Sequence, residues 1–231
     1  MEKLLDEIES YWSTRTEGYS EVNHKELAGT QKNAWLKVLT SQFPDKPKEE
    51  IRILDIGTGP GFFPVILAEA GYHVDAVDYT EGMLEKAKEN AGDLCRNIRF
   101  LRMDAQKLDF EDNTFDVVIS RNLTWNLEHP DVAYREWVRV LKVGGRLLNF
   151  DANWYSYLYE EEQRKAYEND RKNVENNSLD DHYLCTDIER MERIALQVPL
   201  SKIRRPQWDV KTLREAGLLG IRTDTEIWKT V

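Results

Sequence analysis

The chain has 231 residues, 41% of them hydrophobic, which is enough for one well-filled core with a cap. Its formal charge of −10 and the lack of a basic stripe argue against a nucleic-acid partner; Arg96 with Arg99 and Arg102, and Arg204 with Arg205, read as small solvated groups. The N-terminus is charged where a leader peptide needs an apolar centre, and no long apolar run follows, so the expectation is a cytoplasmic protein with no membrane segment.

Residues 1–50 have a helical pattern. Leu4, Leu5, Ile8 and Trp12 recur at helical spacing, a polar-aromatic cluster runs from Tyr11 to Tyr19, and a second amphipathic helix is expected around Leu27–Leu39. The proline-marked stretch Phe43–Lys48 reads as a link. Beyond it, Ile51, Ile53, Leu54 and Ile56 form a short buried strand that breaks into glycines at alternate positions, Gly57, Gly59 and Gly61, before Phe62–Ala70 opens a helix. Glycine admits dihedrals closed to other residues and lets a ligand approach the main chain. A strand, a glycine loop and a helix N-terminus make the nucleotide-binding corner of a doubly wound α/β sheet. The spacing G-x-G-x-G departs from the dinucleotide fingerprint G-x-G-x-x-G. Asp55, at the strand end, opposes a pyrophosphate and suits a ligand carrying an amino group.

The next segments keep the alternation of strand and helix. Tyr72–Asp78 reads as a strand ending in an acid about 20 residues past the glycines, where ribose hydroxyls need an acceptor. Tyr79 to Met83 lead into a charged helix, Leu84–Asn90, and Asn97–Ala105 reads as a third strand carrying Asp104 at its end. Phe115–Ser120 is a fourth strand, apolar enough to be buried on both faces. Trp137–Leu141 looks like a helix end, and Val143–Phe150 turns into a fifth strand.

Asp55-Ile-Gly-Thr-Gly-Pro-Gly61 resembles motif I of the class I S-adenosylmethionine-dependent methyltransferases, an acid followed by G-x-G-x-G. Leu141-Lys-Val-Gly-Gly-Arg-Leu-Leu148 resembles the approach to the same family's fifth strand, and the matches run from about Ile51 to Asp151. The resemblance implies an α/β fold, a Rossmann-like three-layer α/β/α sandwich with a mostly parallel central sheet. Its parts are a helical N-terminal lid (1–50), an S-adenosylmethionine-binding core (51–151), a helical insertion serving as substrate cap (152–206) and a last helix and strand (207–231). By the same resemblance Asp55, Gly57 and Gly59 hold the amino-acid end of S-adenosylmethionine and Asp78 the ribose, with Thr58, Gly61 and Tyr79 as further cofactor-binding residues. Met83 packs on the adenine or, as an equal reading, serves the core; Asp104 accepts from the adenine amino group, with backbone at Ala105 beside the ring, and Asn122 lies near the cofactor. Arg15 and Tyr19 reach in from the lid, although packing of Tyr19 and Trp12 onto the sheet is an equal reading.

The implied activity is in-line methyl transfer to a small-molecule acceptor. The loop Arg121–His129 lacks the Asn/Asp-Pro-Pro-Tyr signature of enzymes acting on bases or glutamine side chains. Trp125, Trp154 and Tyr155 are candidate acceptor contacts, and His24 and His129 candidate general bases, His129 also fitting a surface role before Pro130. A non-catalytic S-adenosylmethionine-binding protein and a nicotinamide-dependent oxidoreductase remain open as alternatives. Residues 152–200 are rich in helix formers. Asp209–Leu218 reads as a final helix with Gly217 as its C-cap, followed by a strand over Ile221–Val231, where the family usually supplies two strands. Cys95 and Cys185 stand far apart with no His or Cys at metal spacing, which points to reduced thiols and no metal site.

Overall fold

The computed structural model describes residues 4–177 and 186–231, so Cys185 lies outside the described residues. Five strands form one sheet: β1 (Arg52–Ile56), β2 (His73–Asp78), β3 (Ile98–Arg102), β4 (Phe115–Arg121) and β5 (Leu141–Phe150), in the order β3-β2-β1-β4-β5. Every neighbouring pair is parallel. The chain builds outward from β1 through β2 to β3, then crosses back to place β4 on the other side of β1. That reversal opens a crevice beyond the carboxyl ends of β1 and β4, the place where open α/β sheets take their ligands.

Successive side chains of a strand point to opposite faces. Ile53, Val74, Val117 and Ile119 meet Trp35 and Leu39 of α2 (Gln31–Thr40) and Phe63, Ile66 and Leu67 of α3 (Phe62–Glu69). On the opposite face Leu54, Ile56, Val77 and Val118 meet Ala133, Tyr134 and Trp137 of α5 (Pro130–Val140) and Leu213 of α8 (Gln207–Glu215). α4 (Glu81–Ala91) adds Ala91 to a cluster with Val65, Ala76 and Ile98. The result is a three-layer sandwich.

The N-terminal segment is one 25-residue helix, α1 (Leu4–Ala28), interrupted at Gly29–Thr30, so α2 starts at Gln31 and not near Leu27. Within 152–206 lie α6 (Glu161–Asn177) and α7 (Ile188–Ala195), the latter packed on α1. β5 starts at Leu141, but its ladder with β4 jumps from Phe115–Leu141 to Val117–Arg146. The slack is taken up at the glycine pair, where a Cβ on Gly145 would stand 2.9 Å from the Asp116 carbonyl oxygen.

α8 ends as expected on Gly217, in the left-handed region at φ 99°, with the Leu218 N–H donating to the Leu213 carbonyl at 2.9 Å. The strand expected over Ile221–Val231 is absent: residues 221–226 have no regular structure, and Ile227–Lys229 form a short 3-10 turn. The reason lies in the pattern. Arg222, Asp224 and Glu226 alternate with Thr223 and Thr225, so neither face of a strand there is apolar enough to be buried. Among the described residues β5 is therefore an edge of the sheet.

Candidate functional site

Gly57, Gly59 and Gly61 all sit at positive φ, 69°, 52° and 92°. The Gly57 and Thr58 amides donate to the Val77 carbonyl at 2.8 and 3.0 Å, which ties the loop to the end of β2. A Cβ on Gly57 would stand 2.7 Å from Leu123 Cδ2, and one on Gly59 would face the Tyr19 ring at 3.6 Å. At these two positions the wall is bare backbone. Gly61 does something else: its Cβ would meet the Ala87 Cβ at 3.0 Å, so it lets the start of α3 pack on α4. Asp78 braces the loop, with one carboxylate oxygen accepting from the Gly59 N–H at 2.8 Å and the other from the Thr80 N–H at 2.9 Å. Burial pushes the Asp78 carboxyl above its ordinary pKa.

Above this loop opens a cavity of about 820 Å³, its solvent-open part included. Among the residues expected at a ligand, Tyr19, Gly57, Gly59, Asp78, Tyr79, Met83, Asp104, Ala105 and Asn122 line it together. α1 closes it from above with Leu5, Ile8, Glu9 and Trp12. The loop after β3 is fixed from beneath: the Trp137 indole donates to the Ala105 carbonyl at 2.9 Å, and Arg139 donates to the Leu108 and Phe110 carbonyls at 2.9 and 2.7 Å. Four carboxylates, those of Glu9, Asp78, Asp104 and Glu128, line the cavity against the guanidinium of Arg121. Arg121 is itself ion-paired to Glu26 at 2.5 Å and lies 5.1 Å from the Trp35 and Phe62 rings.

Other expected residues stand elsewhere. Asp55 and Gly61 lie behind the loop and Thr58 is buried within it; none of the three borders the cavity. Burial, with the nearby charge of Asp78 adding to it, raises the Asp55 carboxyl to about 7. Arg15 sits one helical turn before Tyr19 on α1, outside the lining. His24 is exposed on α1. His129 is exposed at the start of α5, where its backbone N–H donates to Gln106 Oε1 at 2.7 Å and its ring faces Glu128 at 3.7 Å. Trp125 is buried with Ile8, Tyr11, Met191, Ile194 and Val198, its ring 5.0 Å from Tyr155. Trp154 is 46% exposed and lines a separate cleft along β5.

The sequence reading missed a buried polar network behind the loop that follows β4. Arg205, taken as a solvated group, has only 6% of its side chain exposed and pairs with Asp151 at 2.7 Å and Asp209 at 2.6 Å; Arg204 beside it is exposed and pairs with Glu160 at 2.6 Å. Arg205 also donates to Thr124 Oγ1 at 2.7 Å, and Thr124 and Tyr134 donate short hydrogen bonds to Asp151 and Asp209. The Asp151 carboxylate accepts from the Trp125 N–H at 2.9 Å. The network thus grips the short turn Thr124–Asn126 and presents Asn126, Leu127 and Glu128 to the cavity. A spacing of four between Arg205 and Asp209 was its one trace in the sequence, and such spacing usually marks an exposed helix pair.

Comparison with known proteins agrees with this geometry. Residues 54–149 match the model of a family described as a methyltransferase domain. A putative S-adenosyl-L-methionine-dependent methyltransferase from Methanococcus maripaludis superposes over 79% of this chain and 82% of its own, with a TM-score of 0.56 at 22% identity, which establishes the shared fold. Residues 54–149 are thus similar to a methyltransferase domain, carried on a fold shared with that structure. Curated relatives of the methyltransferase domain include a demethylmenaquinone methyltransferase from Renibacterium salmoninarum, 31% identical over 64% of this chain and 60% of that protein. Another, from Clavibacter sepedonicus, is 41% identical over 42% and 39%. A ubiquinone/menaquinone biosynthesis C-methyltransferase UbiE from Pseudomonas putida is 41% identical over 42% and 40%. The chain thus spans about 40 to 60% of the length of these relatives. Among the described residues no helix is long and apolar enough to cross a membrane.

Proposed function

We propose that this protein is a cytoplasmic S-adenosylmethionine-dependent methyltransferase acting on a small-molecule acceptor, with α1 as a lid and residues 152–206 as a cap. One observation carries the reading: the bare backbone at Gly57 and Gly59, the Asp78 carboxylate and the Asp104 carboxylate open onto a single cavity beneath α1. S-adenosylmethionine suits that lining, because four carboxylates face a cationic sulfonium and ammonium, whereas a pyrophosphate would meet them with like charge. In this reading Asp78 and Tyr79 take the ribose, Met83 packs on the adenine, Asp104 and Ala105 bind its edge, and Gly57, Gly59, Tyr19 and Asn122 surround the amino-acid end. Asp55, Thr58 and Gly61 shape the loop from behind it, and Arg15 supports Tyr19.

When bound, the cofactor supplies an activated methyl group on a cationic sulfur. The protein's part is to hold the acceptor in line, keep water out and leave the acceptor's proton a route away. Positioning of this kind can contribute roughly 7–11 kcal/mol in ideal cases. The names of the relatives favour a quinone-type acceptor, whose electron-rich form for carbon methylation is the hydroquinone. Methylation at a ring carbon would replace the ring proton by the methyl group, so the cavity would have to hold that carbon in line with the methyl group and leave the proton a way out.

Titration calorimetry of the purified chain with S-adenosylmethionine, S-adenosylhomocysteine and NAD tests the cofactor. Micromolar binding of the first two alone supports the reading. Binding of NAD, or of none of the three, overturns it. Transfer of a labelled methyl group to an acceptor panel then separates an enzyme from a protein that only binds.

A further inference from the structure

We infer that Arg121 anchors the carboxylate of S-adenosylmethionine, the one negative group of a cofactor that is otherwise neutral or cationic; this rests on the cofactor reading proposed above. Arg121 is the last residue of β4 and the only Lys or Arg among the described residues that line the cavity, where it faces four carboxylates. A carboxylate entering that cavity is repelled by every other charged side chain on the lining and attracted by this guanidinium alone.

The sheet order says which end of the cofactor reaches it. The strands run β3-β2-β1-β4 from one edge. In the proposed reading Asp104 beyond β3 takes the adenine, Asp78 at the end of β2 the ribose, and the glycine loop after β1 the amino-acid part. The next strand end in that series is β4, and its last side chain is Arg121. Its neighbours place it beside the loop: the guanidinium lies 5.1 Å from the ring of Phe62, the residue after Gly61, and its charge acts on Asp55 and on Tyr19, whose ring faces Gly59. Arg15, the basic residue expected to reach in from the lid, stands outside the lining.

The side chain is held ready for such a partner. Its two terminal nitrogens donate to the Glu26 carboxylate at 3.2 and 2.5 Å, and it lies among the rings of Trp35 and Phe62, each 5.1 Å away, and Phe63 at 5.8 Å. A guanidinium carries five N–H donors in a rigid fork. Glu26 takes one from each terminal nitrogen, and the described residues offer no acceptor to the rest. Glu26 therefore fixes the group without using up its donors. Arginine suits the task, because its planar donors bind carboxylates through charge-assisted hydrogen bonds.

The test is calorimetric titration of the full chain with two probes. One is S-adenosylhomocysteine; the other is its decarboxylated form, an aminopropyl thioether of adenosine that keeps the amino group and lacks the carboxylate. Wild type should bind S-adenosylhomocysteine at least tenfold more tightly than the decarboxylated probe. Glu26→Gln combined with Arg121→Met removes the cation without stranding its partner's charge. It should bring the two affinities within threefold of each other, by weakening S-adenosylhomocysteine while the decarboxylated probe stays within threefold of wild type. Glu26→Gln alone keeps the guanidinium and should keep the tenfold preference. If the double variant does not melt cooperatively, Glu26→Leu with Arg121→Leu, apolar on both sides of the pair, is read by the same criteria. A preference that survives the double variant, a wild type that shows none, its loss in Glu26→Gln alone, or a decarboxylated probe weakened as much as S-adenosylhomocysteine each overturns the inference while leaving the cofactor reading intact. Failure of wild type to bind S-adenosylhomocysteine overturns both.

Discussion

Asp55→Asn should stabilise the ligand-free protein, and by an amount that depends on pH. Asp55 is 2% exposed, and burial raises its carboxyl to about 7 from an ordinary 3.8. The sign follows from proton counting. Between pH 3.8 and 7 the native state keeps a proton that the unfolded chain has released, so this group's contribution to stability falls as pH rises through that window. Each pH unit costs about 1.4 kcal/mol, and the whole window about 4 kcal/mol, all of it present above pH 7 and none below 3.8. Asparagine keeps the shape and never ionises. The variant's advantage should therefore be largest at pH 8, up to about 4 kcal/mol, and about 3 kcal/mol smaller at pH 5. For a chain of this size that loss corresponds to roughly 6–12 °C in the difference between the two melting temperatures. Thermal melts of both proteins at the two pH values supply the readout, and taking the difference removes every other titrating group. An asparagine variant less stable than wild type at pH 8, or a gap that ignores pH, would refute the argument that Asp55 is a buried charge held at a cost.

Asp116 makes the opposite case: burial opposes its ionisation, yet Lys142 and Lys46, at 2.7 and 2.6 Å, with the Arg52 N–H, hold its carboxyl down to about 2. Asp116→Asn should cost about 2 kcal/mol at pH 7, a loss that vanishes as pH falls through about 2, measurable by urea unfolding across pH. Gly57→Ala places a Cβ 2.7 Å from Leu123 at φ 69°, so it should cost roughly 1–3 kcal/mol in a melt and weaken S-adenosylhomocysteine binding at least tenfold. Asp78→Ala removes a cavity-lining acceptor worth roughly 1.5–3 kcal/mol per charged hydrogen bond, so calorimetry should show at least a tenfold weaker S-adenosylhomocysteine; unchanged affinity sinks the ribose assignment. Arg205→Met leaves Asp151 and Asp209 without their cation and should cost roughly 3–5 kcal/mol of unfolding free energy.

What could be read from the sequence was whatever the backbone itself demands. Gly57, Gly59 and Gly61 announced the loop because positive φ leaves few alternatives to glycine, and β1 and β4 read as strands because a parallel sheet covered on both faces makes each one a continuous apolar run. Asp78 was singled out by its distance along the chain from that loop, and Asp104 by the family resemblance at the end of the third strand. The residues that escaped notice depend on contacts no local pattern records. Arg205 meets Asp151 across 54 positions, and the burial of Asn126 with its side-chain oxygen unpaired is set by how its turn folds. The final strand was over-read for the converse reason: alternation without an apolar face gives a strand nothing to bury.

The same limit explains why helical spacing in the sequence marked only the first half of α1, Leu4 to Trp12. The first half of the helix holds on through apolar side chains, Ile8 and Tyr11 packing with Met191 and Ile194. The second half buries a polar stripe, Thr16, Ser20 and Asn23, whose spacing carries no hydrophobic signal. That stripe faces α4, where Thr16 Oγ1 lies 3.1 Å from the Cβ position of Gly82 and Asn90 donates to Ser20 at 3.3 Å and to the Pro60 carbonyl at 2.8 Å. Three carboxylates along the helix, Glu9, Glu17 and Glu26, reach Arg102, Lys86 and Arg121 on the core at 2.6, 2.9 and 2.5 Å. Polar and ionic contacts at a partly exposed interface contribute little net stability, because water replaces them when they part. α1 is thus held over the glycine loop by apolar packing in its first half and by polar and ionic contacts, joined by Leu27, in its second.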